Sequence, residues 1–341
     1  MASYKTVRGD TIQSFSSDPS NPLEGQVWYN STSNVLKGYA SVAGAWATGG
    51  VLPNYNGNYG ACGTLSASII AGGYNGPVGK LNATVEYDGT SWTAVNNLPA
   101  LRDWNSCFGI LTAAVNVGGI ATPPGVHQAT VEEYDGTNWT AVTALPTAIV
   151  GEGTAGALTA GLVMGGSTPS NVPGSPASFE YDGTNWTSGG VLTTGRYRTL
   201  GQSIGTQTAA LYVGGLEGPA PGQAVEAYDG TSWTAGGSLN TARDLGGGNG
   251  IQTSALAVSG RGPGPTYTTT AVVEEYNGTS WTASTSVSTG RAYCSTTGSG
   301  AGTVGNTESL FIGGATTGST PDTTATEEWT SGLSVITFTS S

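Results

Sequence analysis

The chain has 341 residues, 56 of them glycine, with 9% charged residues and a net charge of −12 at pH 7. Sparse charge with abundant Gly, Ser and Thr suits short strands and tight turns rather than amphipathic helices, and the regular aromatics argue against disorder. Three lysines give no electrostatic footprint for nucleic acid, no apolar run reaches the ~20 residues of a membrane span, and the start, MASYKTVRGD, lacks the apolar core of a removable secretion leader.

In chain order, residues 1–25 form a polar, turn-rich arm containing SSDPSNPLEG. Residues 26–46, QVWYNSTSNVLKGYASVAGAW, offer strand material. One segment then recurs: Tyr87 to Trp92, Tyr134 to Trp139, Tyr181 to Trp186, Tyr228 to Trp233 and Tyr276 to Trp281 each read YDGTxW or YNGTxW. Successive tryptophans lie 47, 47, 47 and 48 residues apart, the mark of a repeated supersecondary unit. Between them, apolar strands end at Gly72-Gly73, Gly118-Gly119, Gly165-Gly166, Gly214-Gly215, Ser259-Gly260 and Gly313-Gly314, which makes six units.

Within the second unit four strands are predicted: RDWNSCFGI, AAVNVGG, TVEEY and NWTAV. Asp-Gly between strand formers is a hairpin signal, because Gly accepts φ > 0 and Asp tolerates it while bonding the local backbone. YDGTxW is therefore the turn from third to fourth strand, with Tyr and Trp supplying buried faces between sheets. The expected fold is an all-β, six-bladed β-propeller with four antiparallel strands per blade. The last unit has Trp329 in place of Tyr and no fourth strand, so residues 26–46 are expected to complete that blade by pairing the N- and C-terminal strands. The domains are then the arm, 1–25, and the propeller, 26–341.

Gly-Gly, then Tyr, then Trp in a four-stranded unit resembles the kelch repeat of β-propellers, over residues 46 to 330. The block NPLEGQVWYNSTSNVLKGY followed by AWATGG resembles N-terminal segments of structural proteins of tailed bacteriophages, some of which carry Gly/Thr-rich propellers.

Of the 22 acidic residues 13 belong to the recurring segment, so acidity is read as architecture. Adjacent glutamates such as Glu132 and Glu133 point to opposite faces of a strand and cannot form a catalytic pair. Arg102, Arg196, Arg243 and Arg291 recur at the entries to the first strands. One reading makes each a repeat position bonded to the neighbouring blade. The other gathers them at one mouth of the axial channel with Tyr55, Tyr59, Trp104, Tyr197, Arg198, Asp244 and Tyr293, where aromatic faces stack on sugars and polar groups bond hydroxyls. The DGTxW turn also resembles the structural Asp-box of sialidases, which need an arginine cluster, although no Tyr/Glu nucleophile set can be assigned. Cys62, Cys107 and Cys294 read as buried thiols on first strands. No metal or cofactor is expected, since CxxC spacing is absent and His127 is the sole histidine.

These readings lead to an expected non-enzymatic structural or adhesive protein of a phage particle. The arm would dock onto other virion proteins, the mouth would bind host-surface polysaccharide or a neighbouring virion protein, and the chain could assemble as a homo-oligomer. Alternatives are a pure assembly or cement protein, a kelch-type protein-interaction scaffold and a sialidase-like glycosidase.

Overall fold

Each Asp-Gly turn closes a hairpin in which the motif Tyr faces the motif Trp across the ladder, as in Tyr87 with Trp92 and Tyr134 with Trp139. The turn is held by its own first residue: Asp135 Oδ1 accepts the amides of Thr137 and Asn138 at 2.8 and 2.7 Å, and these bonds pull its carboxyl below the usual range. The two rings lie 4.6 to 4.9 Å apart in all five hairpins.

The computed structural model describes residues 12–20, 25–54, 57–122, 125–169, 174–200, 204–264, 268–298, 301–302, 305–317 and 323–338. Among them the architecture is all-β, without helix, and its four-stranded antiparallel sheets are those of a propeller-like fold. The first sheet contains Gly60–Thr64, Ala67–Ala71, Thr84–Tyr87 and Trp92–Val95. The second contains Arg102–Ile110, Ala113–Ala121, Val131–Tyr134 and Trp139–Ala141, with Val126–His127 added beside Ala113–Ala121. The third runs through Gly153–Ala157, Ala160–Met164, Ser178–Tyr181 and Trp186–Ser188, and the fourth through Gly205–Thr206, Ala209–Val213, Val225–Tyr228 and Trp233–Ala235. The fifth has Gly247–Ile251, Ser254–Val258, Val273–Tyr276 and Trp281–Ala283. The four strands predicted for the second unit are therefore all present.

The chain divides into two compact units, Ala45–Thr330 and Met1–Gly44 with Ser331–Ser341. Val27–Asn30 and the Val35–Gly44 part of Val35–Thr48 fall in the smaller unit, and residues 45–48 fall in the larger. There they lie next to the first residues of Thr326–Phe338, which pair with Glu308–Ile312 and through it with Ser295–Thr297. Trp46 packs on Trp329 and Phe311 at ring distances of 5.2 and 6.1 Å. In the smaller unit Gln13–Phe15 pairs in parallel with Val27–Asn30, and Asp18 gathers Trp28 Nε1, Asn30 Nδ2 and Lys37 Nζ.

The apolar core is not one mass. Each buried cluster draws on two consecutive sheets, for example Leu211 and Val213 with Ala255 and Ala257, and the cluster containing Leu310 and Ile312 also contains Tyr59 and Ile70. The first strands follow the same order: each packs on the next, and Ser295–Thr297 packs on Gly60–Thr64. Polar ties cross the same seams. The hydroxyls of Tyr134, Tyr181 and Tyr228 donate to Glu86, Glu133 and Glu180 of the preceding sheet at 2.7, 2.7 and 2.6 Å.

The Gly-Gly pairs take the left-handed region, Gly214 at φ 57° and Gly215 at 90°, and they end the second strands except in the second sheet, where the strand runs past Gly118-Gly119 to Ala121. A Cβ on Gly214 would meet the Leu200 methyl and the Arg243 carbonyl oxygen, so space as well as φ demands glycine. Ser259 occupies this slot in the fifth sheet at φ 58°. Its hydroxyl accepts the Arg291 amide at 2.7 Å and donates to the Thr270 carbonyl at 2.6 Å, bonds that offset the strain.

Candidate functional site

Six residues at the entries to the first strands share the left-handed conformation: Asn58 (φ 55°), Trp104 (58°), Gly151 (63°), Arg198 (59°), Leu245 (59°) and Tyr293 (57°). Backbone bonds link them. The Trp104 amide donates to the Asn58 carbonyl at 2.7 Å, Gly151 to Trp104 at 3.3 Å, Arg198 to Gly151 at 2.8 Å, Leu245 to Arg198 at 3.0 Å, and Asn58 to Tyr293 at 3.1 Å. The left-handed region costs a side chain roughly 1–2 kcal/mol, so five non-glycine residues are held there by tertiary bonds rather than by propensity. The backbone is constant while the side chain changes from sheet to sheet, the pattern of a variable surface on a rigid frame.

These residues and their successors line a cavity with about 450 Å³ of empty space, open solvent at its mouth included. The rings of Trp104 and Tyr293 meet edge-on with centroids 5.9 Å apart, and the Arg198 guanidinium lies over Trp104 at 5.1 Å and over Tyr197 at 4.8 Å. Arg198 makes no ion pair among the described residues. Asp244 is fully buried and paired to Arg261 at 2.7 Å, and Arg261 in turn lies 5.7 Å from the Tyr293 ring centre, bracing that ring from behind. The Tyr59 hydroxyl is committed to the Ile312 carbonyl at 2.6 Å. Tyr55 lies outside the described residues.

Glu152 also lines the cavity. It is 2% exposed, neither carboxyl oxygen has a hydrogen-bond partner of good geometry among the described residues, and burial pushes the carboxyl up to about 8, while its own amide and the nearby Ser106 hydroxyl, which donates to the Glu152 carbonyl at 3.0 Å, pull it the other way. The corresponding residues of the other sheets are Tyr59, Asn105, Thr199, Gly246 and Cys294, none of them a carboxylate. Sequence reasoning missed Glu152, Asn58 and Leu245, although the signal was present: Gly151 and Leu245 lie 47 residues on either side of Arg198, and Glu152 directly follows Gly151.

The four periodic arginines are not among the lining residues, which corrects the expectation of an arginine-ringed mouth. Arg102, Arg196, Arg243 and Arg291 are at most 2% exposed. The Nη2 groups of Arg196, Arg243 and Arg291 donate to Glu226, Glu274 and Glu327 at 2.7, 2.8 and 2.6 Å, and Arg102 pairs likewise with Glu132. Their Nη1 groups donate to the carbonyls of Gly118, Gly214, Ser259 and Gly313. All these partners lie in the arginine's own sheet rather than the neighbouring one. The physical reason is that a desolvated guanidinium needs a desolvated carboxylate, which the third strand supplies. In the third sheet the same two positions hold Ile149 and Phe179, both buried in one apolar cluster, so an apolar pair substitutes for the ion pair.

The adjacent glutamates do face opposite ways. Glu132 is buried on Arg102, whereas Glu133 receives the Tyr181 hydroxyl. Among the described residues no group of three or more His, Cys, Asp and Glu could hold a metal.

No family model matches the chain, and no curated protein does. A solved structure described as "Structure of YjhT" is similar, with a TM-score of 0.66 and 17% identity over 81% of this chain and 95% of that one. At that identity the match speaks to fold, and it supports the propeller-like, all-β architecture. It also corrects the expectation of a non-enzyme. The fold it supports is the one on which the sialidase-like alternative rests, and such a scaffold hosts catalysts as readily as adhesins.

Proposed function

We propose that the chain is a kelch-like, six-bladed propeller, closed between its last and first sheets, whose axial mouth binds a saccharide. Closure is supported by the backbone chain from Tyr293 to Asn58 and by the contact of Ser295–Thr297 with Gly60–Thr64. The observation that carries the function is the ring of left-handed entries, which presents Trp104, Tyr293 and Arg198, without an ion pair among the described residues, around one cavity. Aromatic faces cover the apolar faces of a sugar ring, and a guanidinium bonds its oxygens. Our reading places the protein on the surface of a tailed-phage particle, where it meets bacterial polysaccharide, and rests there on the resemblance of the N-terminal block.

A glycosidase is the second reading, and Glu152 favours it: a carboxylic acid kept protonated near neutral pH is the kind of group that donates a proton to a leaving oxygen. The burial of the four periodic arginines tells against a sialidase-type arginine cluster. One experiment separates the readings. Purified protein is tested against a panel of bacterial surface polysaccharides, scoring bound and released sugar together. Binding without release, lost at least tenfold in Trp104→Ala and Arg198→Ala with folding intact, supports saccharide recognition. Release that vanishes in Glu152→Gln establishes the glycosidase, and no binding to any polysaccharide overturns both.

A further inference from the structure

Two of the three cysteines meet across a seam between sheets. Cys62 lies on the first strand of the first sheet and Cys107 on the first strand of the second. Their Sγ atoms are 3.2 Å apart, both side chains are 0% exposed, and both thiols are free. They belong to one apolar cluster that also draws on Ile69 and Ala71 of the first sheet and Ala114, Tyr134 and Trp139 of the second. Cys294 takes no part: its Sγ faces the backbone carbonyls of Leu245 and Arg291 at 3.7 and 3.5 Å.

We propose that Cys62 and Cys107 form the site of a reversible oxidative crosslink that clamps the first sheet to the second. A disulfide requires the sulfurs to close to about 2.05 Å, an approach of roughly 1.2 Å along a contact that already points sulfur at sulfur. Gly60, two residues before Cys62, already brings the two strands close: a Cβ there would stand 3.0 Å from the Cys107 Cβ and 2.9 Å from Asn105 Nδ2.

With hydrogen peroxide as oxidant the step balances. One thiol sulfur attacks a peroxide oxygen, giving a sulfenic acid and one water. The second sulfur then displaces the sulfenic hydroxyl, forming the S–S bond and releasing a second water, so two thiols are oxidised by two electrons and one peroxide is reduced. Burial pushes the Cys62 thiol up, which keeps it protonated and makes the reaction slow in the folded chain. The bond would close a loop from residue 62 to residue 107 and restrict the unfolded chain accordingly.

The test treats the full chain with peroxide and counts thiols after denaturation without reductant. The expected result is one titratable thiol in place of three, a loss of two hydrogens in intact mass, and a single crosslinked peptide pair joining Cys62 to Cys107. The unfolding midpoint should rise by a few degrees and fall back with dithiothreitol. Cys62→Ser and Cys107→Ser should each abolish the crosslink and the shift, and the wild-type peptide map decides the pairing even where a variant fails to fold. Three thiols after peroxide treatment, oxygen addition without a crosslink, or a crosslink through Cys294 would overturn the proposal. An unchanged midpoint in the crosslinked chain would overturn the clamp.

Discussion

Two kinds of arginine separate sharply in this chain, and the difference is who answers the charge. Arg196 is buried under Glu226 and stacks over Tyr212 at 4.7 Å, whereas Arg198, two residues on, has aromatic neighbours and no carboxylate among the described residues. Arg196→Ile alone should cost ~3–5 kcal/mol, because it strands Glu226 in the core. The double change Arg196→Ile with Glu226→Phe, copying the third sheet's Ile149 and Phe179, should recover most of that loss. Urea unfolding of the three proteins checks this, and a double variant no better than the single would refute the slot argument. Arg198→Ala, which strands no carboxylate, should lower the unfolding free energy by only ~1 kcal/mol, the loss of its contacts with the aromatic rings.

Glu152 makes a prediction in pH. Its carboxyl is raised from an ordinary 4.5 to about 8, so the folded chain holds a proton there that the unfolded chain releases. Stability from this group is complete below about 4.5 and is lost as pH climbs through about 8, at up to ~1.4 kcal/mol per unit. Glu152→Gln carries no titrating proton and should flatten that slope. Thermal unfolding of both proteins from pH 5 to 8 measures the difference, and parallel curves would show that the acid is not held protonated.

At the scale of the element, the hairpin was legible in the sequence because every contact that makes it is local. Asp135 bonds residues two and three ahead of it, and Gly136 takes φ 88° where a Cβ would make only ordinary van der Waals contact, at 3.5 Å from Thr112. Gly136→Ala should therefore cost only the left-handed strain, ~1–2 kcal/mol. Gly214→Ala adds a steric collision with Leu200 and the Arg243 carbonyl and should cost measurably more. Equal midpoints for the two variants would mean that the Gly-Gly pair relaxes freely. The Arg-to-Glu pairing was harder to see, since the partners stand 30 to 36 residues apart and meet only after the first and third strands have both joined the second. The covariation was nonetheless on the page: the third unit lacks the arginine and lacks the carboxylate together.

For the whole molecule, residues 45–48 belong to the sheet that also holds the start of Thr326–Phe338, Glu308–Ile312 and Ser295–Thr297. Trp46 is the anchor, with its indole N–H on the Thr285 carbonyl at 3.0 Å and its ring on Trp329. Trp46→Ala should lower the unfolding free energy by ~2 kcal/mol, less than a fully buried Trp because this one is only partly buried. If the arm docks onto a phage particle, as the N-terminal resemblance implies, deleting residues 1–25 should abolish incorporation into such particles while leaving the thermal transition of residues 45–330 in place. Particles that carry the truncated chain would remove the docking role of the arm.

The amino-acid sequence alone determined the repeat, its turns and most of its Gly-Gly strand ends, because spacing, hairpin chemistry and strand propensity act within a few residues of each other. It also placed Trp104, Arg198 and Tyr293 near one another, since they share a position in the period. Only the tertiary structure decided what each charge does. A period puts Arg196 and Arg198 equally near the strand entry, yet burial hands one to a carboxylate on another strand and leaves the other facing the cavity. The same holds for Glu152, an unremarkable acid in the sequence, whose burial appears only once neighbouring sheets have closed around it and excluded water.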